Sequence, residues 1–429
     1  MLKTYAYSSL EESDFQRLLA RNTDPSSTIQ QTVVSILDEV RRNGDTALKA
    51  YAEQFDGIRL ENLCLTADEI ATMASTIRRE QQRALEIAFA NIHRFHETQQ
   101  RKERAIETMP GVKCWREPRP IEKVGLYIPG GSAVLPSTLL MLGVPARIAG
   151  CKEIVVCSPP QAGGGINGYV AYCLQLLKID KVYLVGGAQA VAAMAYGTNT
   201  VPKVDKIFGP GNQYVTKAKS LVQSLAQVSI DMPAGPSEVL VIADHTANPA
   251  FVAADLLAQA EHGADSQAIL VSTDSALIEG VQAALSTQLA ELPRAEVAAK
   301  ALANSYAIQC ETLDEALAFS NRYAPEHLIV ETDLWESLLR KINNAGSVFV
   351  GHLTPESAGD YASGTNHTLP TSGFARSYSG VSVDSFVKKI TFQHITHTGL
   401  QHLGPTVEIL AELEGLQAHK NAVSVRLRS

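Results

Sequence analysis

Four separated segments of the sequence carry side chains of the kinds that bind a catalytic metal ion and move protons beside it. These side chains are imidazoles, carboxylates and one amide, contributed by Gln259, His262, Glu326, His327, Asp360, Glu414 and His419. Nitrogen and oxygen donors without a thiolate suit a divalent metal such as zinc in a catalytic site that keeps one position open. A Glu-His pair beside such a metal can act as a general base. The sequence is therefore interpreted as that of a metalloenzyme.

The first of these segments closes a predicted helix. Asn248-Pro249 supplies an N-cap and a first-turn proline, and the Ala/Leu-rich run after it predicts a helix over 249–262. Gln259 and His262 are three residues apart, so they project from neighbouring positions on one helical face. Such a pair alone is more often a polar helix end that meets solvent. The metal-site interpretation therefore depends on the other three segments.

Composition and charge are those of a globular enzyme with more than one domain. The chain has 429 residues, which exceeds one ordinary core, and it is 45% hydrophobic and 19% charged. Its 37 Lys and Arg residues against 45 Asp and Glu residues give a net charge of −8, which argues against a nucleic-acid surface. The sequence has neither a membrane span nor an apolar signal core, so no membrane partner and a cytoplasmic location are expected. The six cysteines form no CxxC pair, which indicates free thiols.

From residue 124 onward, short β-rich runs alternate with helical ones, which predicts parallel sheets with helices on both faces. Strands are predicted over 124–128, 153–157, 181–185, 206–208, 238–243, 268–272, 307–309, 328–331 and 347–350. Helices are predicted over 28–51, 67–98, 137–149, 167–177, 188–196, 213–224, 249–262, 277–289 and 313–323. A long polar loop is expected over 354–380, followed by a short strand and two helices that are split near Gly415.

Three predicted strand-to-helix turns are rich in glycine, at 127–132, 186–189 and 209–212. Open parallel sheets bind their ligands at such turns, at the carboxyl ends of the strands. None of the three has the GxGxxG pattern, and no Walker-type phosphate loop is present. Ordinary turn chemistry remains the alternative for each turn alone. Three such turns in one sheet favour a nucleotide or dinucleotide bound without the usual fingerprint.

Several longer motifs resemble those of histidinol dehydrogenases. They are IDMPAGPSE at 230–238 continuing through VLVIAD, PEHL at 325–328, ESAGDYASGTNHTLPT at 356–371 and EGLQAHKNAV at 414–423. The resemblance runs essentially from end to end. It implies an intertwined homodimer that contains zinc and uses two NAD to oxidise L-histidinol to L-histidinal and then to L-histidine, the last step of histidine biosynthesis.

The same resemblance implies roles for individual residues. One zinc ion per subunit would be held by Gln259, His262, Asp360 and His419. Proton transfer would fall to His327, as the base for the hydroxyl group, and to Glu326, as the activator of water for the aldehyde. The substrate would contact the four zinc-binding residues and His327, together with Ser237, His367 and Glu414. NAD would contact Tyr127, Gln189 and Asn212, and the partner subunit would supply Glu414 and His419.

The predicted fold class is α/β, with two incomplete Rossmann-like parallel-sheet domains, a helical N-terminal region and a small C-terminal extension. An N-terminal arm is expected over 1–22. The first α/β domain is expected to combine 23–123 with 237–380 and to carry the metal and catalytic residues. The second is expected over 124–236 and would bind NAD. The extension, 381–429, would be exchanged between the subunits of the dimer.

Three other functions compete with this interpretation. The main alternative is a zinc-dependent hydrolase in which the Glu326-His327 pair activates water, although HExxH is absent and the glycine turns would have no role. A thiol-based aldehyde dehydrogenase and a non-catalytic nucleotide-binding module are the others, and the module would leave the metal-binding set unexplained. Four further histidines do not fit one helical face, so surface or structural roles are predicted for His352, His394, His397 and His402.

Overall fold

A computed structural model describes residues 2–21, 27–100, 103–130, 135–233 and 235–428 of the chain. Its strands are, in chain order, β1 (Lys3–Ala6), β2 (Cys64–Leu65), β3 (Ile106–Met109), β4 (Val112–Pro120), β5 (Lys123–Tyr127), β6 (Glu153–Ser158), β7 (Val182–Leu184), β8 (Lys206–Phe208), β9 (Ser229–Ile230), β10 (Glu238–Ala243), β11 (Gln267–Ser272), β12 (Tyr306–Gln309), β13 (His327–Glu331), β14 (Ser347–Val350) and β15 (Val387–Ile395).

The α-helices of the described residues separate most of these strands. They are, in chain order, α1 (Glu12–Leu19), α2 (Ser27–Asn43), α3 (Asp45–Tyr51), α4 (Ala67–Ala74), α5 (Arg79–Glu97), α6 (Pro136–Ala149), α7 (Gly168–Leu176), α8 (Gly187–Tyr196), α9 (Gln213–Leu225), α10 (Pro249–Ala260), α11 (Ser275–Leu289), α12 (Ala295–Ala303), α13 (Leu313–Tyr323), α14 (Trp335–Leu338), α15 (Glu356–Tyr361), α16 (His397–Leu413) and α17 (Gln417–Leu427). Within the described ranges, no helix is long and apolar enough to cross a membrane.

The first sheet has the order β1-β12-β11-β10-β13-β14, and all its strands are parallel. Its central strand β10 is buried along its whole length, as a strand covered on both faces must be. Val239 and Val241 face the core beneath α10 and α11, whereas Leu240 and Ile242 face the opposite core beneath α13. This alternation places helices on both faces of the sheet.

The second sheet has the order β2-β7-β6-β5-β8-β9 and is parallel except for β2 at its edge. Helices α2 to α5 pack on this sheet, since Leu37, Leu48, Ile70 and Ile92 share a core with Leu126. The predicted grouping of 23–123 with 237–380 in one domain stays a prediction. Apolar residues of those helices belong to the same buried core as the strands of the second sheet. The boundaries between domains stay a prediction.

A third, antiparallel sheet has the order β15-β4-β3 and joins the C-terminal extension to residues 106–120. The sequence predicted neither β3 nor β4, because their alternating polar residues lack an apolar run. Beyond β15, helices α16 and α17 pack against each other as an antiparallel pair. The predicted split of these helices near Gly415 is confirmed, since Gly415 adopts a φ of +70° there.

The α/β fold class with two parallel-strand sheets is confirmed, and most predicted elements lie within two residues of those observed. The helix predicted over 249–262 ends at Ala260, so His262 lies in the turn that follows it. The stretch predicted as a loop over 354–380 contains the short helix α15. The arm predicted over 1–22 contributes β1 to the edge of the first sheet. The pairing of β1 with β12 depends on a distant segment, which local periodicity does not report.

Candidate active site

A group of possible metal ligands forms where α10 ends beside α15. Ligand atoms of His262, Glu356 and Asp360 all lie within 4.8 Å of one another. Glu356 and Asp360 are buried, whereas His262 is exposed. Gln259 and His262 come together because the helix closes between them, with the His262 N–H donating to the Gln259 carbonyl at 3.2 Å. Two elements that are far apart in the sequence therefore present nitrogen and oxygen donors to one point.

The side chain of Gln259 has no hydrogen-bond partner within the described protein. It is fully buried, and both its amide oxygen and its amide nitrogen are unpaired. Both carboxylate oxygens of Glu356 are also buried without a hydrogen bond. An unpaired buried polar group destabilises a fold by about 1–3 kcal/mol. Such groups are retained where they bind something, so the donor set and its unpaired atoms fit a divalent metal ion such as zinc.

His327 lies at the start of β13, surrounded by carboxylates. Its Nε2 is 3.5 Å from Oδ1 of Asp360, while its Nδ1 is 3.5 Å from Oε1 of Glu356 and 3.7 Å from Oε2 of Glu326. Burial alone would lower the pKa of His327, but the carboxylates, led by Glu356, outweigh it and raise the pKa to about 10. The imidazole therefore stays protonated unless another positive charge, such as a bound cation, neutralises these carboxylates.

Glu326 precedes β13 and is held from the neighbouring strand. Its Oε2 accepts a hydrogen bond from the Glu238 N–H at 3.0 Å. The Glu238 side chain is in turn bound by Arg21, whose Nε donates to it at 2.9 Å, and by the hydroxyl of Tyr323 at 3.2 Å. Burial raises the pKa of Glu326 to about 8, although the proximity of His327 opposes the shift. The carboxyl group can therefore exchange a proton near neutral pH.

His367 extends the site towards the second sheet. Its Nδ1 lies 2.9 Å from the main-chain oxygen of Asp360, and its Nε2 lies 3.1 Å from the hydroxyl of Thr138 on α6. A cleft of about 1270 Å³ also runs between the two sheets, with Asn212, Ser237 and His262 in its lining. The cleft therefore connects the predicted metal site with a residue predicted to contact NAD.

The glycine turns lie together at the carboxyl edge of the second sheet. Tyr127 ends β5, and its hydroxyl accepts a hydrogen bond at 3.1 Å from the N–H of Gly187, which opens α8. Gln189 lies two residues further along that helix and is buried. Asn212 caps α9 by accepting from the N–H groups of Tyr214 and Val215, each at 3.1 Å. Gly131 and Ser132 of the first turn, and Ala234 of the IDMPAGPSE motif, lie outside the described residues.

The chain matches named relatives along its whole length. The family model for histidinol dehydrogenase matches residues 19–427. The chain belongs to the histidinol dehydrogenase family. A histidinol dehydrogenase from Bacteroides thetaiotaomicron is 54% identical over 429 residues, with 100% of both chains covered. The chloroplastic histidinol dehydrogenase of Arabidopsis thaliana is 51% identical, covering 100% of this chain and 92% of its own.

A solved structure agrees with this assignment. The crystal structure of histidinol dehydrogenase from Elizabethkingia anophelis superimposes with a TM-score of 0.96 at 51% identity, covering 100% of this chain and 98% of that one. This histidinol dehydrogenase family member is thus an oxidoreductase, and the resemblance inferred from its motifs is confirmed.

The structure of this family member does not bring every predicted site residue to the cluster. Glu414 and His419 are exposed on the C-terminal helix pair, and His419 is not among the residues that converge with His262. Their assignment to a site in the partner subunit stays a prediction. The four residues predicted to be surface or structural histidines include His352, whose Nε2 lies 3.2 Å from Asp333 near the surface.

Sequence reasoning missed three carboxyl groups around the site. Glu356 belongs to the group of possible metal ligands itself, and it stands in the ESAGDY motif three residues before the expected Gly359-Asp360 pair. Asp255 and Glu331 are neighbouring buried carboxyl groups, and Asp255 also lies near the Glu356 N–H. Burial raises the pKa of both members of this pair. Asp255 and Gln259 are four residues apart on α10, and only this spacing could have indicated that Asp255 lies near the site.

Proposed function

We propose that this chain is a zinc- and NAD-dependent histidinol dehydrogenase of the cytoplasm, which oxidises L-histidinol through L-histidinal to L-histidine. The observation that carries the proposal is the metal-binding group of His262, Glu356 and Asp360 in contact with the buried Glu326-His327 pair. Each oxidation removes two electrons, and the second also adds water to the aldehyde. Residues that hold a metal beside residues that move protons are what both steps require.

Gln259, His262 and Asp360 would hold the zinc ion in this subunit. Zinc, when bound, polarises the substrate oxygen. The neutral amide of Gln259 adds no negative charge, so the site retains more of the positive charge of the ion. Glu356 lies in the same group and would balance the remaining charge.

His327 would take the hydroxyl proton in the first oxidation, because its imidazole lies beside the metal-binding carboxylate of Asp360. It can do so only in its neutral form, so the carboxylates around it must be balanced by positive charge at the metal site. Glu326 would activate the water that adds to the aldehyde in the second oxidation. Its raised pKa, about 8, suits a group that accepts and returns a proton near neutral pH.

NAD, when bound, accepts the two electrons of each oxidation. Tyr127, Gln189 and Asn212 would contact it, since they occupy the turns at the carboxyl edge of the second sheet, where open sheets bind ligands. A cavity of about 870 Å³ beside Pro129 and Gly130 at this edge supports the assignment. The cleft from Asn212 to His262 offers a path from the dinucleotide to the substrate.

A homodimer is also part of the proposal, with Glu414 and His419 contributed by the partner subunit. The C-terminal helix pair supports it through a row of exposed apolar side chains, Ile409, Leu410, Leu413, Leu416 and Val425. Apolar patches of this kind mark protein interfaces. The third sheet that precedes these helices would carry them away from their own subunit.

The competing functions fit the structure less well. A zinc hydrolase would leave the turns at the edge of the second sheet without a role. A thiol-based aldehyde dehydrogenase needs a reactive thiolate, whereas burial raises the pKa of Cys151 to about 11 and of Cys310 to about 12. Cys157 and Cys173 are buried as well.

The deciding experiment measures NADH formed per L-histidinol consumed, before and after zinc is removed by a chelator and then restored. Two NADH per substrate, lost on chelation and recovered with zinc, is the expected result. One NADH, with aldehyde accumulating, would contradict the role of Glu326. No NADH from folded, zinc-loaded protein would favour the hydrolase.

A further inference from the structure

A buried ion pair lies beneath the third glycine turn of the second sheet. Lys219 Nζ is 2.5 Å from Asp231 Oδ1, and the two side chains are 4% and 1% exposed. Lys219 belongs to α9, which follows the turn, and Asp231 follows β9 at the edge of the sheet. Charged groups are rarely buried this completely unless they are paired and hydrogen-bonded. The contacts of the pair indicate what it does.

Both members of the pair hold the main chain of Gly209. Lys219 Nζ donates to the Gly209 carbonyl at 2.8 Å, and the Gly209 N–H donates to Asp231 Oδ2 at 2.9 Å. Gly209 has a φ of +129°, and a Cβ at this position would collide with the main-chain oxygen of Tyr127. The two charged groups therefore hydrogen-bond to both the N–H and the carbonyl of Gly209, and they hold the turn against Tyr127.

The same pair also holds the segment that crosses to the first sheet. Asp231 Oδ1 accepts a second hydrogen bond, from the Met232 N–H at 2.8 Å. Met232 begins the crossing segment, which reaches Ser237 just before β10. Asn212, at the end of the glycine turn, lines the same cleft as Met232 and Ser237. The ion pair therefore joins the turn that carries Asn212 to the segment that carries Ser237.

We propose that Lys219 and Asp231 are positioning residues for the dinucleotide: they hold the 209–212 turn in the shape that NAD requires, at a fixed distance from the substrate residues. The inference rests on the proposed function, in which Asn212 contacts NAD. Lys219 is fully engaged with Asp231 and Gly209, so it acts through the turn.

Three variants separate this role from simple stabilisation. Lys219→Met and Asp231→Asn each leave one buried charge unpaired, so each should lower Tm by several degrees. The double variant removes both charges at similar volume, and its Tm should return towards that of the wild type. The dissociation constant for NAD is measured by calorimetry on the full-length, zinc-supplemented protein. We expect it to rise about tenfold or more in all three variants, because each loses at least one charge-assisted hydrogen bond to the main chain of Gly209.

Lys123→Met is the matched control. It breaks an exposed 3.1 Å ion pair with Glu153, which lies at the amino ends of β5 and β6, away from the glycine turns. The affinity for NAD should not change. If both the affinity for NAD and the Tm recover in the double variant, the ion pair has only a structural role, and the inference is overturned. If single variants do not fold, the double variant decides alone. Wild-type protein that binds no NAD would overturn the proposed function as well, whereas normal binding in every variant would overturn only the inference.

Discussion

The imidazole Nε2 of His327 lies 3.5 Å from Oδ1 of Asp360, which joins the predicted proton-transfer pair to the predicted metal site. His327 also faces Glu356 and Glu326, so three carboxylates surround one imidazole. Like charges this close are unfavourable unless a proton or a cation lies among them. The protonation of this cluster and its metal content should therefore depend on each other.

Zinc binding should release protons. The pKa of His327 is raised to about 10 and that of Glu326 to about 8, so at neutral pH both groups hold protons that a bound cation would displace. We expect about one proton or more to be released per zinc ion at about pH 7, and fewer at about pH 8.5, where Glu326 is already ionised. Calorimetric titration of the chelator-treated protein in buffers of different ionisation enthalpy measures this number. An unchanged binding enthalpy across buffers would contradict the coupling.

Glu326→Gln should separate the two oxidations. The amide cannot accept a proton from water, so the second step should slow by about 10²-fold or more while L-histidinal still forms. Rapid-quench analysis of histidinal, histidine and NADH tests this. Glu336→Gln, an exposed change on α14, is the control and should retain two NADH per substrate. Equal slowing of both steps by Glu326→Gln would mean that Glu326 serves both of them.

Mixed dimers should recover activity if the active site is shared between subunits. His262→Ala and His419→Ala each remove one predicted zinc ligand, and the two variants alone should be nearly inactive. After subunit exchange, one site of each mixed dimer has both histidines, so roughly a quarter of wild-type activity should return with equal mixing. The activity of co-refolded or co-expressed variants measures it. Folded mixed dimers with no activity would show that the two histidines do not act across the interface.

The buried pair of Asp255 and Glu331 should make stability depend on pH. Burial raises the pKa of both carboxyl groups, so the folded protein keeps a proton that the unfolded chain loses above about pH 4.3. Stability should therefore fall as pH rises from about 5 to about 8, by about 1–3 kcal/mol.

Glu331→Gln keeps the shape of the pair and removes one titrating group, so Tm should change less over the same pH range. Thermal unfolding in a series of buffers measures the two slopes, with Glu336→Gln as the control. Parallel slopes for the wild type and Glu331→Gln would mean that this pair does not carry the effect.

The sequence alone determined the α/β class, most helix and strand positions and the family, and it predicted the metal donor residues. Those inferences depend on patterns within short segments, such as the apolar run of β10 or the Gln259-His262 spacing. They also depend on sequence motifs that resemble those of a known family. Local periodicity is sufficient for them because strand and helix preferences act over a few residues.

Only the tertiary structure decided which carboxylates meet. Glu356 joins the group of possible metal ligands, and Glu331 lies beside Asp255, because α10, β13 and α15 pack together at the first sheet. The tertiary structure also shows that helices α2 to α5 pack on the second sheet. Residues separated by about 70 to 100 positions are brought together by the burial of apolar faces, and that burial depends on the whole set of elements rather than on any one of them.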